Sequence, residues 1–245
     1  MKYKSIFISD LHLGTRFSQA EKFVDFLKET ECENLFLVGD IIDGWSIKRK
    51  FTWLQSHSDV IQKVLRKARK GTNVYFITGN HDEFLRPFVP LILGDFLQVC
   101  NEFEYKALNG KKYYVTHGDF FDSITMTKKW LAILGDYGYD LLLHLNHKLN
   151  FLRRKLGINT HWSLSKYVKD NVKSSVSFIS DFETILATHA KHKGFDGIIC
   201  GHIHKAQMKH IDTIEYLNCG DWVESCTAVV ETYDGKFKIV SWLNR

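Results

Sequence analysis

Five short fragments of the sequence carry side chains of the kinds that bind metal ions. They are Asp10 and His12 in SDLHLG, Asp40 in VGDIIDGW, Asn80, His81 and Asp82 in TGNHDEF, His117 in HGD, and His202 and His204 in GHIH. Each fragment follows directly on an apolar run. Carboxylate, imidazole and amide oxygen together form the mixed nitrogen and oxygen shells that suit Mn, Fe or Zn. A carboxylate can bridge two cations, and two cations about 3.5–4 Å apart can clamp a phosphate and activate water between them. Histidines at i and i+2 of an extended segment point the same way, so His202 and His204 can each serve a different metal. The glycines before Asp40, Asn80 and His202 predict tight backbone turns. Any one fragment occurs by chance in many proteins. Five of them, each at the end of an apolar run, predict a dinuclear metal site.

The elements that must position these groups are legible as alternating patterns. Residues 4–9, 34–38 and 73–77 read as strands alternating with helices, and their near-continuous apolar character predicts a parallel sheet covered on both faces; 113–116 and 198–200 read as further strands. In such a sheet, side chains beyond the strand carboxyl ends converge on one crevice. Residues 18–30 and 57–70 read as helices, the first with Ser18 and Glu21 as a capping box. Asn109-Gly110 predicts a hairpin turn. Short runs at 207–210, 214–218, 226–231 and 237–242 predict a more antiparallel C-terminal half. Two packed sheets with helices outside fit this order. Between the halves, Trp130, Leu134, Tyr137, Leu141, Leu145, Leu149, Leu152 and Leu156 step by three or four, and so do Leu164, Val168, Val172, Val176, Ile179, Phe182 and Leu186. They predict a helical cap or insertion at 121–193 within a core of 1–120 and 194–245.

Bulk properties narrow the function classes. The chain has 245 residues, 44% hydrophobic, and two prolines, enough for one core with an insertion. Five scattered cysteines without a CxxC pair argue for reduced thiols in a cytosol. The N-terminus enters a strand pattern at once, so no signal peptide is expected, and no apolar run is long enough to span a bilayer. The net charge is +5. Residues 127–193 hold eleven Lys/Arg and five Asp/Glu, so the positive excess sits in the insertion. That suggests a phosphate-bearing or anionic partner; a solvated helical face is the plainer alternative. A charge excess this modest and this local gives no expectation of nucleic-acid binding. His57, His144, His147, His161, His189, His192 and His210 read as surface or packing residues, Lys48, Arg49 and Lys50 as a solvated loop, and Trp222 as core.

The pattern DxH…GDxxD…GNHD…H…GHxH resembles the calcineurin-like metallophosphoesterase superfamily, over the whole chain except the helical insertion. More narrowly, SDLHLG, GDIIDGW, GNHDEF, HGDxFD, GHIH and GDWVES are similar to the bacterial UDP-2,3-diacylglucosamine pyrophosphatase group. The resemblance implies an α/β fold, a four-layer α/β/β/α sandwich with a helical cap. It implies a hydrolase with two divalent metal ions, usually Mn²⁺, with Fe or Zn as other options. It implies a cytoplasmic setting, peripheral on the inner membrane, and cleavage of UDP-2,3-diacylglucosamine to UMP and 2,3-diacylglucosamine 1-phosphate in lipid A synthesis. The implied mechanism is in-line attack of a metal-bridging hydroxide.

Carried over to this chain, Asp10, His12 and His204 would hold one metal, Asn80, His117 and His202 the second, and Asp40 would bridge. His81 would contact the scissile phosphate, and Asp82 would orient the His81 imidazole; a helix N-terminal acid is the other reading of Asp82. Asn80, His81, His202, Asp122 and Lys173 are the candidate substrate contacts, with a solvated helix face the plainer reading of Lys173. Well-studied members of the group often carry arginine after the motif asparagine (GNRD), where this chain has His81. That departure keeps open a related phosphodiesterase or pyrophosphatase acting on another nucleotide or phospholipid-type substrate. A non-catalytic binding module is disfavoured because every motif position is filled. Monomer and homodimer remain equally open.

Overall fold

The computed structural model describes residues 1–122 and 173–244, with 173–178 as backbone alone. The chain forms two compact units, Met1–Asp119 with Leu186–Leu243, and Phe120–Ile185, the last two residues aside. In the first unit two sheets face each other. One has the order β12-β11-β1-β2-β3-β5-β4, the other β6-β7-β8-β10-β9. The strands of the first are β1 (Lys2–Ile8), β2 (Glu31–Val38), β3 (Asn73–Ile77), β4 (Leu91–Leu93), β5 (Leu97–Cys100), β11 (Thr227–Glu231) and β12 (Phe237–Ser241). Those of the second are β6 (Glu102–Lys106), β7 (Lys112–Thr116), β8 (Gly197–Cys200), β9 (Gln207–Ile211) and β10 (Ile214–Asn218). β1, β2, β3 and β5 run parallel, as do β7, β8 and β10.

Alternation along each buried strand builds the layers. Ile6, Ile8, Leu35, Leu37, Val74 and Phe76 face helices α1 (Ala20–Glu29) and α3 (Gln55–Arg69), meeting Phe23, Phe26, Val60 and Val64. The residues between them, Phe7, Phe36, Val38 and Ile77, face the second sheet and meet Tyr113, Val115, Ile199 and Leu217. Phe7 and Phe36 stack with centroids 4.5 Å apart. The C-terminal turns of α4 (Lys173–His192) cover the other face of the second sheet, where His189 lies 5.5 Å from the Tyr114 ring. The result is a four-layer α/β/β/α sandwich. The sheets are also tied by polar groups: buried Glu231 accepts hydrogen bonds from the Tyr105 hydroxyl and from the Leu108 N–H.

Three local expectations are corrected. The C-terminal strands do not all join the antiparallel half. β11 pairs antiparallel with β1 and carries β12 with it, because all five of its residues are buried and need a layer on each face. Ser18 does not cap α1; the helix starts at Ala20, and the Gln19 N–H is taken by the Trp222 carbonyl at 2.8 Å. The stretch after GDIID is the short helix α2 (Gly44–Arg49), capped by the Asp43 carboxylate on Ser46 N–H, and so Lys48 and Arg49 lie on a helix. Of the expected insertion at 121–193, the structure describes 121–122 and α4, whose Phe182 and Leu186 are fully buried. His144, His147, His161 and the stripe from Trp130 to Leu156 lie outside the described residues. No helix among the described residues is long and apolar enough to cross a membrane. All five cysteines are free thiols.

Trp222 is core, fully buried with its ring 4.8 Å from Phe23 and 5.2 Å from Phe26. Its backbone N–H donates to the Asp10 carbonyl at 3.0 Å, so this packing also anchors the first metal-type fragment. Trp222→Ala is expected to cost about 3–5 kcal/mol of stability through the cavity it leaves. Urea unfolding checks it: the midpoint should fall at unchanged slope, and a loss below about 1 kcal/mol would contradict the packing argument.

Candidate metal centre

The five fragments occupy the loops that follow β1, β2, β3, β7 and β8. The loop after β1 lies on the loop after β2 through backbone bonds: Asp10 N–H to Gly39 O at 3.0 Å, His12 N–H to Asp40 O at 2.9 Å, and Leu13 N–H to Ile41 O at 2.8 Å. Asp10, His12, Asp40, His202 and His204 all have positive φ, between 50° and 71°. Non-glycine residues rarely adopt that conformation; each instance costs on the order of 1–3 kcal/mol and persists only where the surroundings enforce it. Five such backbone positions gathered in one place are a feature of the site, not of the strands.

The glycines serve two different needs. Gly39 has φ +79° and allows the turn, and a Cβ there would sit 2.3 Å from the His117 ring. Gly79 and Gly201 have ordinary backbone angles, so the expectation of a tight turn is replaced by one of close approach. A Cβ on Gly79 would lie 2.2 Å from Asp40 Oδ1, and one on Gly201 2.6 Å from Asp10 Oδ2. Gly79→Ala is therefore expected to push the Asp40 carboxylate aside and lower bound metal per folded chain. Metal analysis of the purified variant checks this, and full metal occupancy would refute it.

Among the described residues there are three groups whose ligand atoms each lie within 4.8 Å of one another: Asp10, His12 and His204; Asp40, His117 and His202; and His12, Asp43 and His81. His204 Nε2 is 3.2 Å from Asp10 Oδ1, and His117 Nε2 is 3.2 Å from Asp40 Oδ2. Each carboxylate is aimed by one backbone donor: Asp10 Oδ2 accepts from His202 N–H at 3.0 Å, and Asp40 Oδ1 from His81 N–H at 2.9 Å. The outer nitrogens of two imidazoles are also committed. His117 Nδ1 lies 2.9 Å from Val38 O and His12 Nδ1 3.2 Å from Asp43 Oδ2. That arrangement orients Nε2 of each ring inward, as metal-binding histidines require.

The residues fit metal ions on two further observations. His12 Nε2 and Asn80 Oδ1 are buried without a hydrogen-bond partner, which is unusual for buried polar atoms. The charge balance also asks for cations. Asp10, Asp40 and Asp43 are all buried. Burial opposes their ionisation, yet His204 holds Asp10, His117 and His81 hold Asp40, and His12 and His81 hold Asp43 below the usual carboxylate range. Burial would lower His12, but the Asp43 hydrogen bond and the charges of Asp40, Asp43 and Asp10 push it up to about 9. His117 is likewise raised by Asp40 against burial. A pocket that favours positive charge this strongly is suited to divalent cations.

The Calcineurin-like phosphoesterase family model matches residues 3–206. The chain belongs to the calcineurin-like phosphoesterase family. Members of this family depend on two metal ions, and this chain gathers clusters of His and Asp side chains that could hold metal ions. It is a metal-dependent phosphoesterase. A UDP-2,3-diacylglucosamine hydrolase of Haemophilus influenzae is 23% identical over 238 residues, covering 93% of this chain and 94% of that protein. One from Psychromonas ingrahamii is 26% identical over 249 residues, covering 97% and 96%. Among solved structures, an archaeal phosphodiesterase aligns over 97% of this chain and 98% of its own, with a TM-score of 0.47 and 12% identity.

Two acids of this calcineurin-like chain, Asp43 and Asp82, lie beside the ligand clusters. Asp43, the second acid of GDIID, was not among the expected site residues, although its place three positions after Asp40 was the available signal. Its Oδ2 meets His12 Nδ1, and its Oδ1 lies 3.0 Å from His81 Nδ1. Asp43 therefore takes the place expected for Asp82 beside the His81 imidazole. Asp82 instead accepts the N–H groups of Ile41 at 3.1 Å, Ile42 at 2.7 Å and Gly79 at 3.4 Å. These three donors converge where the loops after β2 and β3 meet, and the fully buried Asp82 carboxylate is what satisfies them. Burial and the charge of Asp40 raise its carboxyl to about 7. Nor does its side chain cap the following 3₁₀ turn (Glu83–Phe88). Asp119 of HGDFFD pairs with Arg86 at 2.6 Å. Asp122 is half-buried in the second unit, and Lys173 opens α4 with its side chain outside the described residues.

Proposed function

We propose that this chain hydrolyses the pyrophosphate of UDP-2,3-diacylglucosamine to UMP and 2,3-diacylglucosamine 1-phosphate, with Asp10, His12 and His204 holding one divalent cation, Asn80, His117 and His202 the other, and Asp40 between them. The observation that carries the chemistry is the pair of ligand clusters meeting beyond the strand ends, each built on a buried carboxylate. The named hydrolases that match along almost the full length of the chain support the substrate. When bound, the two cations, Mn²⁺ in our reading, supply charge for the phosphoryl oxygens and lower the pKa of coordinated water.

The protein's own groups do the rest. The backbone bonds between the first two loops and the glycine contacts keep the ligands preorganised, so no reorganisation is needed as charge develops. His81 stands at the edge of the centre, its Nε2 3.9 Å from Asp40 Oδ2. From there it donates a hydrogen bond or proton at the scissile phosphate. Asp43 Oδ1 lies 3.0 Å from Nδ1 at the far side of its ring.

An acylated substrate presented at the inner membrane agrees with the surface beside the site. Phe84, Phe88, Ile92, Leu93 and Phe96 are exposed, and Phe84 lies against Gly44, where Lys48, Arg49, Lys50 and exposed Phe51 follow. Apolar groups bordered by basic ones suit an anionic lipid interface.

His81 in place of arginine favours a second reading, hydrolysis of a different phosphodiester or pyrophosphate. One experiment separates them. The Mn²⁺-loaded protein is incubated with UDP-2,3-diacylglucosamine and with bis(4-nitrophenyl) phosphate. UMP and the acylated sugar phosphate as products support the first reading. Intact UDP-2,3-diacylglucosamine beside turnover of the diester supports the second.

A further inference from the structure

Three consecutive residues at the N-terminus of α2, its cap Asp43 with Gly44 and Trp45, grip the segment that carries His81. Asp43 Oδ1 lies 3.0 Å from His81 Nδ1. The Gly44 N–H donates to the His81 carbonyl at 3.1 Å. The Trp45 indole lies on the His81 ring, centroids 4.3 Å apart and planes inclined by 37°. The indole is itself tethered, its Nε1–H donating to Glu83 Oε1 at 2.9 Å, two residues beyond His81. Gly44 has no room for a side chain, since a Cβ would meet the Phe84 ring at 2.7 Å and the His81 carbonyl at 2.9 Å. Trp45 remains 38% exposed. Core packing does not account for it, because Trp45 joins neither apolar core and its ring is covered by the His81 ring instead.

The other neighbours of the imidazole are Asp40 Oδ2 at 3.9 Å and the His12 ring, which meets it edge-on with centroids 4.7 Å apart; none of these lies flat on it, and the ring can still rotate about its Cβ–Cγ bond. A flat partner across one face removes that freedom. Ring contacts of this kind contribute about 0.5–1.5 kcal/mol beyond area burial, and preorganising a reacting group to within a fraction of an ångström has large effects on turnover. We propose that Trp45 is a positioning residue that, tethered through Glu83, holds the His81 ring in its reactive orientation. This rests on the reading of the chain as a two-metal phosphoesterase in which His81 acts on the phosphate.

The test compares Trp45→Ala, Trp45→Phe, Glu83→Leu and Glu83→Gln with the wild type. Turnover is read on bis(4-nitrophenyl) phosphate with Mn²⁺, metal content by elemental analysis, and ring contact from the NMR shift of His81 Hε1 in the Zn²⁺-loaded protein. Trp45→Ala should lower kcat about 10- to 100-fold with KM and metal content unchanged. The upfield ring-current shift of His81 should disappear. Trp45→Phe should restore most of both readouts. Glu83→Leu should lower kcat by less than Trp45→Ala, and Glu83→Gln, which keeps an acceptor, should not. A rise in KM alone would make the indole a substrate-binding surface and overturn the proposal. A loss of metal would mean it acts through the ligands and would also overturn it. An unchanged His81 shift in Trp45→Ala would refute the ring contact. If the wild type hydrolyses no phosphodiester or pyrophosphate, the two-metal reading fails, while the His81 shift still reports on the contact.

Discussion

Asp40→Asn is expected to bind at most one metal ion per chain and to lose at least about 10³-fold in kcat, a loss of about 4 kcal/mol in transition-state stabilisation. The carboxylate is 2% exposed and faces His117 at 3.2 Å through Oδ2. Its Oδ1 accepts the His81 N–H at 2.9 Å. Asparagine has the same shape and keeps that acceptor, so the fold should survive. What it lacks is the negative charge that lets one side chain serve two cations. A thermal readout checks the binding side independently of activity. Cation at a hundred times its Kd stabilises the protein it binds by about 2.7 kcal/mol. The rise in Tm on adding Mn²⁺ should therefore be clear in the wild type and much smaller in Asp40→Asn. Two tightly bound ions and near-normal turnover in the variant would remove Asp40 from the bridging position.

His81→Ala should separate chemistry from metal binding. The contact that aims Asp40 comes from the His81 backbone N–H, which alanine retains. Asp43 also keeps its bond from the Ser46 N–H at 2.6 Å and its contact with His12. Metal content and KM are thus expected to stay near wild type. Turnover should fall by about 10²–10⁴-fold, the range for removing a positioned proton donor. Elemental analysis beside steady-state kinetics decides it. A variant that loses an ion would place His81 among the ligands. A variant with unimpaired kcat would make the imidazole a bystander, and the Trp45 contact would then have nothing to position.

The sequence by itself determined that strands of consecutive apolar residues alternate with amphipathic helices, and that a ligand-type side chain follows each of five strands. Both signals are local. A buried parallel strand must be apolar on both faces, a helix must repeat near every third or fourth residue, and a glycine beside an acid or histidine is visible within a few positions. The hairpin at Asn109-Gly110 was legible for the same reason, and so was the burial of Trp222.

Tertiary structure alone decided which of these groups meet. β11 belongs to the first sheet because Ala228 and Val230 pack in one core and Val229 in the other, a relation to β1 across more than two hundred residues. The left-handed conformations at Asp10, His12, Asp40, His202 and His204 are ones that Asp and His tolerate better than most residues, but the paired loops decide that these five adopt them. The exchange of roles between Asp43 and Asp82 has the same origin. Both are acids beside a motif, one three residues after Asp40 and one next to His81. Adjacency in sequence pointed to Asp82. Yet the side chain of a neighbouring residue leaves the backbone in a different direction, and Asp82 turns toward the amides of Ile41 and Ile42. The acid that reaches the His81 ring comes from the N-terminus of α2, brought there by the fold.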